Sequence, residues 1–281
     1  MFRGDLVRNI YLLFLSWFQA IICALQFLTR FPIPINVPYE PKIIQRSVVF
    51  YPLAGFMIGL LLWFLSYVVP SVLSSAPSAV LICIIWLVSS GGLHMDGLMD
   101  TADGILSYRS KSKILEIMKD SRVGAMGVIV CVCYLIFKMT LVYSLLENEQ
   151  HTSLLSYLVF IPIWSRLMMV WAAKSYPYAR QEKGFGTDVS RIPFVYAVLA
   201  MINALFISLI MYNFIPIHSS WKEAFILMMV LILISTMTMW VISHVLYKKL
   251  GGLTGDTYGA INELVEVVLL MSLVIYAEKL M

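Results

Sequence analysis

An all-α, polytopic integral membrane bundle with seven or eight membrane segments is the fold this sequence predicts, and three observations carry that expectation. Of its 281 residues 60% are hydrophobic and 13% charged, whereas a soluble domain is about 45–50% apolar and about 25% charged. Its mean hydropathy is +0.86, and its uncharged stretches reach the roughly 20 residues that a helix needs to cross a bilayer. Its Lys and Arg residues sort into alternate loops. The same figures exclude a disordered chain, a disulfide scaffold, a coiled coil and a repeat array.

The segments follow in order. Residues 9–29 carry no charge, and residues 47–95 carry none either, with Pro70 and Pro77 dividing that second run into two helices. Further spans are expected from Val123 to Leu146, Thr152 to Ala173, Phe194 to Ile215, Ala224 to Tyr247 and Gly259 to Ala277. Loops 30–47, 104–122, 174–193 and 248–258 together hold fourteen basic residues, while loops 70–77, 147–152 and 216–223 hold one, Lys222. The positive-inside rule places the basic set in the cytoplasm. Arg3 and Arg8 would fall on the other side if the first segment spanned once. An interfacial or re-entrant first segment keeps them inside, and Trp17, Phe18, Phe27 and Phe31 suit that arrangement. Residues 1–23 are accordingly read as an N-terminal extension and the start of the first segment, and 24–281 as one polytopic catalytic domain. No small-residue cleavage site follows the first apolar run, so no cleaved leader is expected.

Several features are read as ordinary. The net charge of +4 is too small and too scattered to point to nucleic acid. Cys23, Cys83, Cys131 and Cys133 lie inside apolar runs, and the last two, two residues apart, point to different sides of a helix. Lys138 and Arg166 fall inside spans, where charges are costly and suspect. Lys138 is expected to snorkel from a lipid-facing position, while Arg166 has farther to reach.

Two polar islands stand out. The first is Gly91-Gly-Leu-His-Met-Asp-Gly-Leu-Met-Asp-Thr-Ala-Asp-Gly104, read as the end of the third apolar helix. Asp96, Asp100 and Asp103 stand at i, i+4 and i+7, within roughly 60° of one helix face. Carboxylates so aligned repel one another unless a hard cation joins them, and oxygen-only ligation suits Mg²⁺ or Mn²⁺. The competing readings are a solvated acidic helix end and an ion path through a transporter. Gly92, Gly97 and Gly104 favour a close approach of backbone or ligand. His94 lies off the aspartate face, and two readings stand for it, an ordinary hydrogen-bonded histidine and, no more strongly, a ligand. Downstream, Lys119 and Arg122 offer a point charge and a fork for phosphate oxygens, or simple anchoring on the basic side.

The second island, Gly251-Gly-Leu-Thr-Gly-Asp-Thr-Tyr-Gly-Ala-Ile-Asn-Glu-Leu-Val-Glu266, opens the last helix. Glu263 and Glu266 need a metal, a base or protons as partners inside a membrane. Arg166 and the loop carrying Arg180 and Gly184-Phe-Gly186 supply candidate bases.

As a set these blocks resemble the cobalamin synthase (adenosylcobinamide-GDP ribazoletransferase) family. The likeness extends to Ala24-Leu-Gln-Phe-Leu-Thr-Arg-Phe-Pro-Ile-Pro34, Phe50-Tyr-Pro-Leu-Ala-Gly55, Leu115-Glu-Ile-Met-Lys-Asp-Ser-Arg-Val-Gly124 and Tyr178-Ala-Arg180, in the right order from Ala24 to the C-terminus. The first twenty-odd residues and the basic Ser107–Lys113 linker depart from the family pattern. The resemblance implies a multi-pass enzyme of the bacterial inner membrane with a cytoplasmic active face. It would join adenosylcobinamide-GDP to α-ribazole, or to its 5′-phosphate, and release GMP. It implies Mg²⁺, or Mn²⁺, on Asp96, Asp100 and Asp103, completed by Asp256 or Glu263, with Asp103 as the proton acceptor. Arg30, Lys119, Arg122 and Arg180 would grip phosphates, with Arg166 as a further basic candidate. A homo-oligomer or a complex with other cobalamin-assembly enzymes fits the same setting. The competing class is an acidic-residue-coupled transporter, which calls for mid-membrane acids and inverted repeats. A purely structural subunit would leave the three aligned aspartates without a reason.

Overall fold

The computed structural model describes residues 2–147, 152–180, 182, 184–214 and 221–279. Among them thirteen α-helices follow one another: α1 Phe2–Leu28, α2 Pro41–Ser47, α3 Tyr51–Val68, α4 Ser75–Ser89, α5 Leu93–Ile105, α6 Lys111–Ile117, α7 Ala125–Glu147, α8 Thr152–Leu155, α9 Phe160–Ser175, α10 Phe185–Ser190, α11 Phe194–Phe214, α12 Trp221–Leu250 and α13 Gly255–Glu278. Seven helical stretches are long and apolar enough to cross a membrane, and the α4–α5 pair brings the number to eight. The protein is a polytopic membrane bundle. Most of loops 147–152 and 216–223 lies outside the described residues, as does Lys183.

Helix α9 is the axis. Almost its whole surface is buried, from Phe160 to Ala173, and it packs against α3, α11, α12 and α13. Gly55 and Gly59 of α3 let the two backbones touch, since a Cβ at either would run into Pro162 or Val159. That is the small-xxx-small device by which helices associate where lipid removes the hydrophobic drive. The outer helices show the opposite pattern: Phe206, Leu209, Phe214, Leu233 and Trp240 are exposed. In water such a surface would be an aggregation patch; against acyl chains it is matched.

One element differs from the expectation. The acidic motif does not end the third apolar helix but forms a helix of its own, turned by 89° from α4. Gly91 and Gly92, with φ of 66° and 72°, make the corner, in a left-handed region that residues with a Cβ rarely enter. Helix α4, at 15 residues, is shorter than the roughly 20 needed to span alone. Helix α1 is continuous through residue 23. The four cysteines are free.

Candidate active site

Helices α5 and α13 pack side by side, and this brings the two polar islands together. A Cβ at Gly97 would lie 2.5 Å from the carbonyl oxygen of Asp256, and one at Gly259 would lie 3.1 Å from the Cα of His94. Half-buried Asp100 therefore lies within electrostatic range of Asp96, Asp103, Asp256 and Arg180. Asp256 occupies the first turn of α13 behind a capping box formed by Thr254 and Thr257, which satisfies backbone donors that the helix start would leave orphaned. Arg180 Nη2 donates to Asp256 Oδ2 at 2.6 Å and to the Met118 carbonyl at 3.3 Å. Its loop is pinned to the approach to α13: Ala179 N donates to Leu253 O, and Leu253 N to Pro177 O, each at 2.8 Å.

The three aspartates of α5 are not equivalent. Asp103 accepts the backbone N–H groups of Gly124 and Gly127 at 2.8 and 2.7 Å, one on each oxygen, and so caps the start of α7. Each of its oxygens thus carries one structural hydrogen bond, beside the role of proton acceptor expected of Asp103. Asp96 and Asp100 have no side-chain hydrogen-bond or ion-pair partner among the described residues.

Glu263 is also placed differently. Its carboxylate accepts from the Tyr134 hydroxyl at 2.5 Å and from Lys138 Nζ at 3.3 Å, inside a buried ionic cluster rather than beside the aspartates. Glu266 accepts from Lys138 at 2.6 Å and pairs with Arg166 on its other oxygen. Asn262 Nδ2 lies 3.3 Å from that same oxygen and 3.1 Å from His94 Nδ1. Two cations and two carboxylates balance, as charges buried in a membrane interior must. Lys138 turns inward, 3.8 Å above the Trp86 ring, and does not snorkel to lipid. Arg166, 1% exposed, pairs with Glu266, and Glu263 lies in the same buried cluster.

The remaining basic candidates lie nearer the surface. Lys119 pairs with Glu182, whose carboxyl its ammonium holds below the ordinary range. Arg122 is exposed and forks onto Asp120, whose carboxyl those hydrogen bonds pull down to about 2. The exposed Arg30 lies across the Gly91 corner, its backbone N–H donating to Ser89 O at 2.8 Å.

A cavity of about 340 Å³ opens beside the aspartates. Asp96, Asp256, Arg180 and Lys119 contribute to its wall, together with aromatic and apolar residues that sequence reasoning did not single out, among them Tyr51, Met169 and Phe185. Tyr51, Phe185 and Tyr258 stood within quoted motifs without a role, and Phe27 was read as an interfacial aromatic; nothing in the local sequence marks Met169.

The donor set is all oxygen, which fits a hard divalent ion. Among the described residues no three His, Cys, Asp or Glu side chains are gathered closely enough to enclose one. Mg²⁺ commonly takes only one or two protein carboxylates and leaves its other positions to water and phosphate oxygens. The open pair Asp96 and Asp100 meets that requirement without Glu263.

Residues 20–274 match the family model described as cobalamin-5-phosphate synthase. A protein of Brevibacillus brevis named adenosylcobinamide-GDP ribazoletransferase is 37% identical over 91% of this chain and 98% of its own length. Proteins of the same name from Desulforamulus reducens and Fusobacterium nucleatum are 35% and 31% identical, over 89% and 88% of this chain and 93% of each relative. No solved structure matches the chain. With the match covering the span from the first helix to the last, the chain belongs to the cobalamin-5-phosphate synthase family.

Proposed function

We propose that this protein is an adenosylcobinamide-GDP ribazoletransferase of a bacterial inner membrane, with its active face in the cytoplasm and Mg²⁺ as its cofactor. It joins adenosylcobinamide-GDP to α-ribazole, or to the 5′-phosphate, and releases GMP. The observation that carries the reading is the group formed by Asp96, Asp100, Asp256 and Arg180 beside a nucleoside-sized cavity, in a chain matched to the family from residue 20 to residue 274. Family membership favours it over the transporter reading.

In the reaction a ribose hydroxyl oxygen forms a bond to the phosphorus that carries the cobinamide arm. The bond from that phosphorus to the bridging oxygen breaks, and GMP departs with the electron pair. Positioning and charge stabilisation dominate such transfers. Mg²⁺, held by Asp96 and Asp100, would neutralise pyrophosphate charge. Arg180, fixed by Asp256 and the Met118 carbonyl, presents its guanidinium to the phosphates, with Lys119 on the same wall. Whichever of Asp96 and Asp100 is not saturated accepts the hydroxyl proton, since Asp103 is committed as a helix cap.

Detergent-purified protein given both substrates should release GMP and form the cobalamin product only when Mg²⁺ is present. Failure to form product with both substrates and Mg²⁺ overturns the assignment. GMP release independent of α-ribazole would make the protein a hydrolase instead.

A further inference from the structure

The cavity beside the aspartates has a composition that the transfer chemistry alone does not require. Phe27 and Phe185 form one aromatic wall, their rings stacked with centroids 3.8 Å apart and planes at 24°. Tyr51, Leu93 and Met169 add apolar lining. Of the charged residues in the wall, Arg180 pairs with Asp256 and Lys119 with Glu182, and Asp96 is left open.

Two lining residues carry buried polar atoms that nothing among the described residues satisfies: His94 Nε2 and the Tyr258 hydroxyl. The state of the histidine can be worked out. Asn262 Nδ2 can only donate, and it lies 3.1 Å from His94 Nδ1, so Nδ1 accepts and the proton sits on Nε2. Glu266 Oε1, 3.3 Å from the same Nδ2, orients the amide and is itself held by Arg166, while Lys138 holds Oε2. The ionic cluster thus fixes His94 as a donor that lacks an acceptor. Buried unsatisfied polar groups are rare in folded proteins and call for an explanation.

We infer that this cavity receives the base of the acceptor nucleoside, an apolar bicyclic heteroaromatic ring with one ring-nitrogen acceptor, as a ribazole carries. The inference rests on the proposed function and names the place of one of its substrates. Such a ring presents two faces to aromatic walls and asks for one donor, which His94 holds. Guanine brings several donors as well; of the carboxylates in this wall Asp256 and Glu182 are already paired, and Asp96 is the one that the proposed reaction gives to Mg²⁺. The cavity, at about 340 Å³, is far smaller than a corrin ring with its side arms requires.

The test is equilibrium binding of α-ribazole and, separately, GMP to the detergent-purified full chain, alongside steady-state kinetics with both substrates. Phe185→Ala should weaken α-ribazole binding and raise its KM about tenfold, with GMP affinity and the KM for adenosylcobinamide-GDP within about twofold of wild type. Phe185→Leu should lie between the two. Tyr258→Phe removes one oxygen without opening the fold, and should weaken α-ribazole alone if Phe185→Ala is not recovered folded. Weakened GMP binding with α-ribazole binding intact would place the guanosine here and overturn the inference. So would unchanged α-ribazole binding in Phe185→Ala and Tyr258→Phe, or no α-ribazole binding by the wild type. A wild type that binds α-ribazole through Phe185 yet forms no product would overturn the proposed reaction and leave the base pocket standing.

Discussion

Asp100 sits half-buried among Asp96, Asp103 and Asp256, with the Arg180 cation within electrostatic range. An amide in its place keeps the shape, removes one negative charge from a crowded group and weakens the hold on a divalent ion. Asp100→Asn should lower kcat/KM by roughly 10²–10³-fold, while the thermal midpoint in detergent stays level or rises because like-charge repulsion is relieved. Asp103→Ala should behave in the opposite way. It deletes the acceptors for Gly124 and Gly127, so stability falls by about 1 kcal/mol, as for other lost helix caps, and activity falls only as far as α7 shifts. If Asp103→Ala is as stable as wild type but inactive, the division of labour drawn here is wrong. Deeper in the bundle, Lys138 neutralises Glu263 and Glu266 together with Arg166. Lys138→Met leaves a carboxylate without its cation and should cost about 3–5 kcal/mol, largely recovered by adding Glu263→Gln. Thermal unfolding of the single and double variants measures that recovery. The charges were visible in the sequence, but their pairing was not: three helices contribute, and the partners lie 100 to 128 residues apart.

At the scale of elements, the spans were legible because lipid imposes one rule on all of them, and a run such as Phe194–Ile215 leaves no other reading. The α4–α5 corner escaped because the apolar run continues without a charge to Met95, so hydropathy gives no sign of the 89° turn. Gly91-Gly92 was the local signal, but Gly92 was read, like Gly97 and Gly104, as favouring a close approach of backbone or ligand. At Gly97 there is such an approach. The packing of α5 on α13 depends on it, since a Cβ there meets backbone and not a movable side-chain tip. Gly97→Ala should therefore push α5 off Asp256 and reduce activity about tenfold or more, because small displacements of a positioned group are enough. The helix itself should gain slightly in propensity, so expression and helical content are expected to hold. A variant with normal kcat/KM would show that the α5–α13 spacing has slack the structure does not suggest. The cavity was the least legible element. Phe27, Tyr51, Met169, Phe185 and Tyr258 come from α1, α3, α9, α10 and α13, and no spacing rule in one chain segment gathers them.

Across the whole molecule, the loops that carry positive charge meet one another. Lys119 of the loop after α6 pairs with Glu182, Arg180 bridges Met118 and Asp256, and the Lys111 ammonium lies against Gly251. Three loops far apart in sequence thus form one surface, which agrees with the charge asymmetry that sorts them to one side of the membrane. The turn between α3 and α4, residues 69–74, carries no Lys or Arg and should lie on the opposite side. Single cysteines placed at the exposed positions Ser112, Lys248 and Ser71 test this in a background lacking the four native thiols. A membrane-impermeant thiol reagent added to intact cells with a permeabilised outer layer should label Ser71→Cys and spare Ser112→Cys and Lys248→Cys. Inverted membrane vesicles should give the reverse. Labelling of Ser112→Cys and Lys248→Cys from opposite sides would contradict the loop contacts themselves, and the single polar face with them. Labelling of all three from one side would leave that face intact but break the α3–α4 hairpin as a pair of crossings. The acidic helix α5 would then have to approach the basic loops from the other direction.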